Sequence, residues 1–386
     1  MKRMKPENIE TIGVVAEFDP FHDGHIYLAE TAKRITGASN AAAVMSGPFT
    51  QRGKPAVFDK WKRAADAVRS GVYCLVVELP AVCAVSSAGT FAAGGVGVLK
   101  ALGCVDALAF GSESGDAETL KRLARSYDLL EEDGGELIKK HLAGGLSYPA
   151  ARQLALEELL RSGDDAAAEA AKAPNNILAA EYIRAAGDMP FVTVKRNDPG
   201  HSATSTQLRR KLAETDGERL GRMDSSLFDL VRAAVLSKSA DETERIASAG
   251  EGISNRLKSE VRYASDLDDL VARVKSKRYT YSRISRLLIQ LLLGIEQEKA
   301  DQVAGALYIR PLAFDERGAA LLRRVRKEHL NTAPVIDSVA ESLKEGGEIS
   351  RVLATDVLAE DIYSIISGSD LYAESDFVRK PVFIRR

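Results

Sequence analysis

Two of the chain's five histidines stand three residues apart, in His22-Asp23-Gly24-His25. Imidazoles placed this way beside a helix start could donate hydrogen bonds to phosphate oxygens. A metal pair is the competing chemistry. However, the i, i+3 spacing with an internal glycine is not that of a zinc-binding helix, and no glutamate follows His22. Two unrelated loop histidines are the plainer alternative. The position after an apolar run and before a helical pattern favours phosphate chemistry, and no protein metal site is expected. A second polar set, Thr204-Ser205-Thr206-Gln207-Leu208-Arg209, also precedes a helix. Its hydroxyls and Arg209 suit polyphosphate oxygens, although an ordinary Ser/Thr cap explains it equally well.

The elements that must position these residues follow from pattern. Ile12 to Ala16 is a short apolar run that reads as a buried strand. Pro20 and Asp23-Gly24 break the loop from Glu17 to Gly24, and a helix opens at His25. Gly24 is expected to let a ligand approach the first helical amides, where free N–H groups and the helix dipole favour an anion. Further strands are expected at 41–45, 73–79, 105–110 and 191–195, separated by helices at 59–70, 86–102 and 175–186. Such alternation predicts an α/β fold, a Rossmann-like parallel sheet with helices on both faces.

Ligands bind such sheets outside the carboxyl ends of the strands. That rule gathers the His22–His25 loop, the Ser46–Gly53 loop, Glu78, Gly111 and Arg196 on one rim, a nucleotide-sized site. A charged helical insertion is expected at about 114–174, and mostly helices from Leu212 onward. The predicted division is a nucleotide-binding domain over 1–210 and a mainly helical domain over 211–386. In the second, the run RVKSKRYTYSRISR from Arg273 to Arg286 is basic with Tyr279 and Tyr281 interleaved. A solvated helix face explains most such runs. An RNA-contact patch using Lys277, Arg278, Arg283 and Arg286 is the alternative.

Composition bounds the rest. A net charge of −2 gives no global basicity, so a nucleic-acid partner needs a local patch. The 45% hydrophobic and 28% charged content fits a folded globular chain. Cys74, Cys83 and Cys104 form no C-x-x-C pair and read as reduced core thiols. The start MKRMKPENIE turns acidic before any apolar run, which argues against a signal peptide. The apolar stretch Leu287 to Ile295 is too short to cross a bilayer. A cytoplasmic enzyme with no membrane partner is the expectation.

The strand, H-x-G-H and late S-T-x-L-R together resemble the nucleotidyltransferase superfamily that acts at the α-phosphate of ATP. GVVAEFDPFHDGH, MSGPFTQRGKPAVFDKWKRAADAV, VVELP, FGSE, PNNILAAEY, VKR and KRYTYSRISRLL narrow this. In their order they are similar to the successive motifs of the tRNA(Met) cytidine acetate ligase family, from about Gly13 to YIRPLAFDERG near Gly318. The family has Tyr-Asn where this chain has Phe18-Asp19. The resemblance implies activation of acetate by ATP, with Mg²⁺, and acetylation of N4 of the wobble cytidine of elongator tRNA(Met). It implies His22, His25, Thr206 and Arg209 as the catalytic set. It implies ATP contacts at Val15, Ala16, Glu17, Phe18, Asp19, Pro20, Phe21, His22, Gly24, His25, Leu28, Gly111, Asn175, Asn176 and Arg196. Two other readings stand beside it: a small-molecule adenylyltransferase, and an RNA-binding protein that senses ATP without turnover.

Overall fold

The structure, a computed structural model, describes residues 9–132, 135–146, 148–160, 164–196, 205–250, 252–276, 279–302 and 307–386. Seven strands build one sheet: β1 (Thr11–Ala16), β2 (Asn40–Ser46), β3 (Leu75–Leu79), β4 (Ala107–Ser112), β5 (Phe191–Lys195), β6 (Pro311–Phe314) and β7 (Val382–Phe383), in the order β5-β4-β1-β2-β3-β6-β7. The first five are mutually parallel, as expected from the alternation. The chain passes from β1 to β2 on one side and later returns to β4 on the other. The β1/β4 boundary is therefore the topological switch point, where such sheets open a crevice.

Alternate residues of β1 feed two cores. Ile12 and Val14 join Trp61, Tyr73 and Leu312 on one face, while Val15 joins Val44 and Val77 on the other. Gly13 faces the helix Ala88–Ala101 so closely that a Cβ would lie 2.7–2.8 Å from Val105 and Leu99 side-chain carbons. Four helices lie between residues 117 and 170, and their apolar residues form a separate cluster together with Ala180 of the helix Pro174–Ala186.

The second half is not purely helical. β6 lies antiparallel to β3, pairing Leu75 with Phe314, and β7 extends the sheet beyond it. Residue 210 is thus not a boundary of the sheet, and apolar residues from both halves share one core cluster. Strands of four and two residues are too short to show a period-2 pattern, which is why no strand was expected there.

A buried charge network ties the halves. Lys60 Nζ, of the helix α2 (Lys60–Arg69), lies 2.9 Å from both Glu78 and Asp376 and 3.4 Å from Glu360. Arg310 Nη1 lies 3.0 Å from Glu78, and its Nη2 2.7 Å from Asp376. A polar cavity of about 260 Å³ opens beside this network at Asp59, Glu360 and Arg379. It is not the candidate active site, whose histidines line none of it.

Candidate active site

The helix α1 (Asp23–Thr36) begins with a reciprocal cap made by the two histidines. Gly24 N–H donates to His22 Nδ1 at 2.9 Å, and His22 N–H donates to His25 Nδ1 at 3.2 Å. A neutral imidazole that accepts at Nδ1 carries its proton on Nε2. The cap therefore sets both rings as Nε2–H donors, with ring centres 4.1 Å apart. Burial, reinforced by Arg196, lowers the pKa of His22. Burial, His22 and Arg196 lower that of His25 well below the usual value. Two neutral donors result.

The role expected for Gly24 is corrected by this geometry. Its amide is already capped, and the space a Cβ would need is filled by the His22 ring, 2.7 Å away at Cε1. The glycine makes room for the cap, not for a ligand against bare amides.

Packing holds the loop before α1. Phe18 turns its ring fully into the core with a φ of 48°, against Tyr73 and His25. Tyr73 donates its hydroxyl to His25 O at 3.0 Å. Phe21 stacks on His25 at 5.6 Å, Pro20 is buried, and Leu28 is half-buried against the same core. Asp19 is buried and accepts from Val57 N at 2.7 Å and from Arg209 Nη1 at 3.2 Å. Of the β1 end, Val15 is core, while Ala16 and Glu17 are half-buried. Glu17 accepts from Gln51 N at 2.6 Å, and burial raises its pKa. Arg63 is a strut that sequence reasoning missed. Its buried guanidinium donates to the carbonyls of Glu17, Ser46, Gly47 and Phe58, setting the β1 and β2 ends side by side.

Across the switch point, Arg196 Nη1 donates to Asn175 Oδ1 at 3.1 Å. Asn175 donates through N and Nδ2 to Glu113 Oε1 at 3.2 and 2.6 Å. Gly111 on β4 faces them; a Cβ there would lie 3.4 Å from Arg196 Cγ. Glu113, visible in the sequence only as the last letter of FGSE, orients Asn175 and was not in the expected set. Asn176 turns inward, accepting from Ser114 N and donating to Ala170 O. Its side chain is a buried brace.

The helix Ser205–Thr215 carries the late motif. Arg209 reaches back to Asp19, donating to its carbonyl at 2.8 Å and to its carboxylate. Thr204 lies outside the described residues, as does the side chain of Thr206. Among the described residues, no group of three or more His, Cys, Asp and Glu side chains could hold a metal ion.

The basic run is not a bare helix face. Lys277 and Arg278 lie outside the described residues. Arg283 donates to the carbonyls of Ser248 and Ala249 at 3.0 and 2.9 Å. Tyr279 is buried, so its ring is no open stacking platform, while Tyr281 is exposed and donates its hydroxyl to Asp268. Arg286 is half-buried beside Arg283. The three cysteines are buried, and burial pushes their thiols up to about 11–12. No helix among the described residues is long and apolar enough to cross a membrane.

Residues 9–216 and 204–376 match the HIGH Nucleotidyl Transferase family. Among curated proteins, the chain is 35% identical to the tRNA(Met) cytidine acetate ligase of Caldanaerobacter subterraneus, over 96% of this chain and 98% of that one. It is 32% identical to the corresponding ligase of Bacillus velezensis, over 97% of each. A crystal structure of Thermotoga maritima TmcAL bound with alpha-thio ATP superposes with a TM-score of 0.87 at 30% identity. It covers 98% of this chain and 100% of that one.

Proposed function

The chain belongs to the HIGH Nucleotidyl Transferase family and, within it, to the tRNA(Met) cytidine acetate ligases, and from that premise we propose that it spends ATP to acetylate the wobble cytidine of elongator tRNA(Met). The observation that carries the reading is the pair of neutral Nε2–H donors at the β1/β4 switch point, with Arg196 and Asn175 opposite.

In the first step, an acetate oxygen attacks the α-phosphorus of ATP in line. The bond to the bridging oxygen breaks, and pyrophosphate leaves with the electron pair. Negative charge gathers on the non-bridging and leaving oxygens, so catalysis needs positioned donors and no covalent residue. His22 and His25 supply two that require no protonation change. Asn175, Arg196 and Gly111 receive the nucleoside, with Glu113 fixing the Asn175 amide. Glu113 Oε2 is buried without a hydrogen-bond partner, a ready acceptor for a nucleoside donor. Thr206 is assigned to the polyphosphate through the family motif, and Arg209 secures the Asp19 loop beneath it. In the second step, the cytidine N4 amine attacks the acetyl carbonyl. AMP leaves with the electron pair, and N4 gives up a proton.

The residues present fit Mg²⁺ only as a passenger on ATP. Both Asp19 oxygens already serve Val57 and Arg209, and Mg²⁺ commonly takes its oxygens from phosphates and water. When bound there it screens the polyphosphate charge.

The test is to incubate the chain with ATP, acetate and tRNA and analyse tRNA nucleosides by mass spectrometry. N4-acetylcytidine at the wobble position, with AMP and pyrophosphate released, is expected. An adenylylated metabolite, or no turnover with tRNA present, would overturn the reading.

A further inference from the structure

Among the described residues, Arg152, Arg219, Arg286 and Arg324 each have a buried nitrogen without a hydrogen-bond partner, but Arg152, Arg219 and Arg324 are ion-paired to carboxylates through another nitrogen. Lys60 and Arg310 are paired to carboxylates, and Arg63 is spent on backbone carbonyls. Arg286, in the helix Tyr281–Leu293, is half-buried, and its Nε is buried with no hydrogen-bond partner. The charge that acts on it is a like one, Arg283 one turn earlier. Burial, and after it the charge of Arg283, pushes the Arg286 guanidinium down to about 10, so it remains charged at neutral pH. A partly desolvated cation facing another cation is unfavourable unless an anion meets it.

Arg286 sits where segments of both halves meet. Ser285 donates its hydroxyl to Gly53 O at 2.9 Å, and a Cβ on Gly53 would lie 2.5 Å from Arg286 N. The helix is thus pressed against the Ser46–Gly53 loop, whose Gln51 amide holds Glu17 at the end of β1. One turn onward, Gln290 donates to Val85 O and accepts from Ser248 N. Arg286 therefore stands where the β2 loop, the stretch after β3 and the 248–250 loop of the second half converge. This is the β2 side of β1. The nucleoside cluster of Gly111, Asn175 and Arg196 occupies the β4 side.

We propose that Arg286, reinforced by the charge of Arg283, is a phosphate subsite that takes one backbone phosphate of the RNA substrate and sets its approach to the strand ends. The inference rests on the reading that the chain acts on tRNA, and it deepens that reading from a diffuse basic face to a single desolvated contact. Guanidinium forks bind phosphate oxygens bidentately. Arg283, committed to two carbonyls, keeps its own place and lends field.

The test uses the full chain with Arg286→Met and Arg286→Lys. Filter-binding with tRNA at two or more salt concentrations, titration with ATP, and thermal melts are read together. For Arg286→Met we expect tRNA affinity to fall at least about tenfold and the salt slope to shrink by roughly one. Its melting temperature should be equal to or above the parent's, because an uncompensated charge has been removed. A merely structural arginine would lower it instead. Arg286→Lys should recover part of the affinity. Unchanged tRNA binding by Arg286→Met, with the parent binding normally, overturns the subsite alone. Lost ATP affinity with tRNA binding intact assigns the phosphate to the nucleotide and overturns the RNA assignment. A parent chain that binds no tRNA overturns the functional reading and the subsite with it.

Discussion

Arg209 and Asp19, 190 residues apart, are joined by two hydrogen bonds from one nitrogen: Arg209 Nη1 meets the Asp19 carbonyl at 2.8 Å and its carboxylate at 3.2 Å. The helix Ser205–Thr215 is thereby latched to the loop that precedes the histidine pair. With the Arg209 side chain 41% exposed, the ion pair itself contributes little to stability. Its effect is on the position of the loop.

If the latch acts through Asp19, Arg209→Ala and Asp19→Asn should each weaken ATP binding, and the double variant should be no worse than the poorer single. A coupling of about 0.5–1 kcal/mol in the double-mutant cycle is expected, read by calorimetric titration with ATP. Strictly additive losses would show that Arg209 grips the polyphosphate independently of Asp19.

His25→Asn separates capping from catalysis. The asparagine carbonyl can accept from His22 N much as Nδ1 does, but nothing replaces the Nε2–H. Pyrophosphate release should fall a few hundredfold, about 3 kcal/mol, while the melting temperature stays close to the parent's. Activity within tenfold of the parent would remove His25 from the catalytic set.

Gly24→Ala places a methyl 2.7 Å from His22 Cε1. The ring must swing away, and the cap on α1 opens. A loss of about 1 kcal/mol in chemical denaturation is expected, with a fall in turnover because the His22 donor is displaced. Full activity together with full stability would show that the cap does not position His22.

Two buried groups give opposite pH dependences. Burial, with Asp376 and Glu78 nearby, pushes Glu360 up to about 7, although Lys60 opposes this. Between its unfolded value and about 7, the folded state holds the extra proton, so this contribution is full in acid and lost as pH rises through 7. His25, depressed in the fold by burial first, contributes stability that is full above its unfolded value of about 6.5 and falls as pH drops below it. Thermal melts of Glu360→Gln should therefore gain on the parent between pH 5 and 8. His25→Asn should lose less than the parent on acidification below about 6.5. Parallel curves for all three proteins would rule out both assignments.

Much of the site was legible because it is local. A capping pair needs only residues 22 to 25, and strand, loop and helix follow one another within 26 residues of chain. The five parallel strands were legible for a similar reason: each is a short apolar run beside a breaker, and alternation with helices dictates parallel pairing. Asn175 and Arg196 meet at the β4/β5 end because each follows or precedes a strand whose neighbour the topology sets.

What the sequence alone determined is the chemistry on offer: two imidazoles at a helix start, polar residues after the parallel strands, and a run of cations in the second half. Only the tertiary structure decided how each was used. The two histidines cap each other and so present Nε2–H. Asn176 braces while Asn175 links Glu113 to Arg196, and Arg283 is spent on carbonyls while Arg286 Nε has no partner. β6 and β7 join the sheet from beyond residue 300 because strand edges accept any backbone that reaches them. The physical reason is the same in each case. Residue type sets which bonds a side chain can make, but which of those bonds are already satisfied depends on partners hundreds of residues away, and a group's free capacity is what a ligand sees.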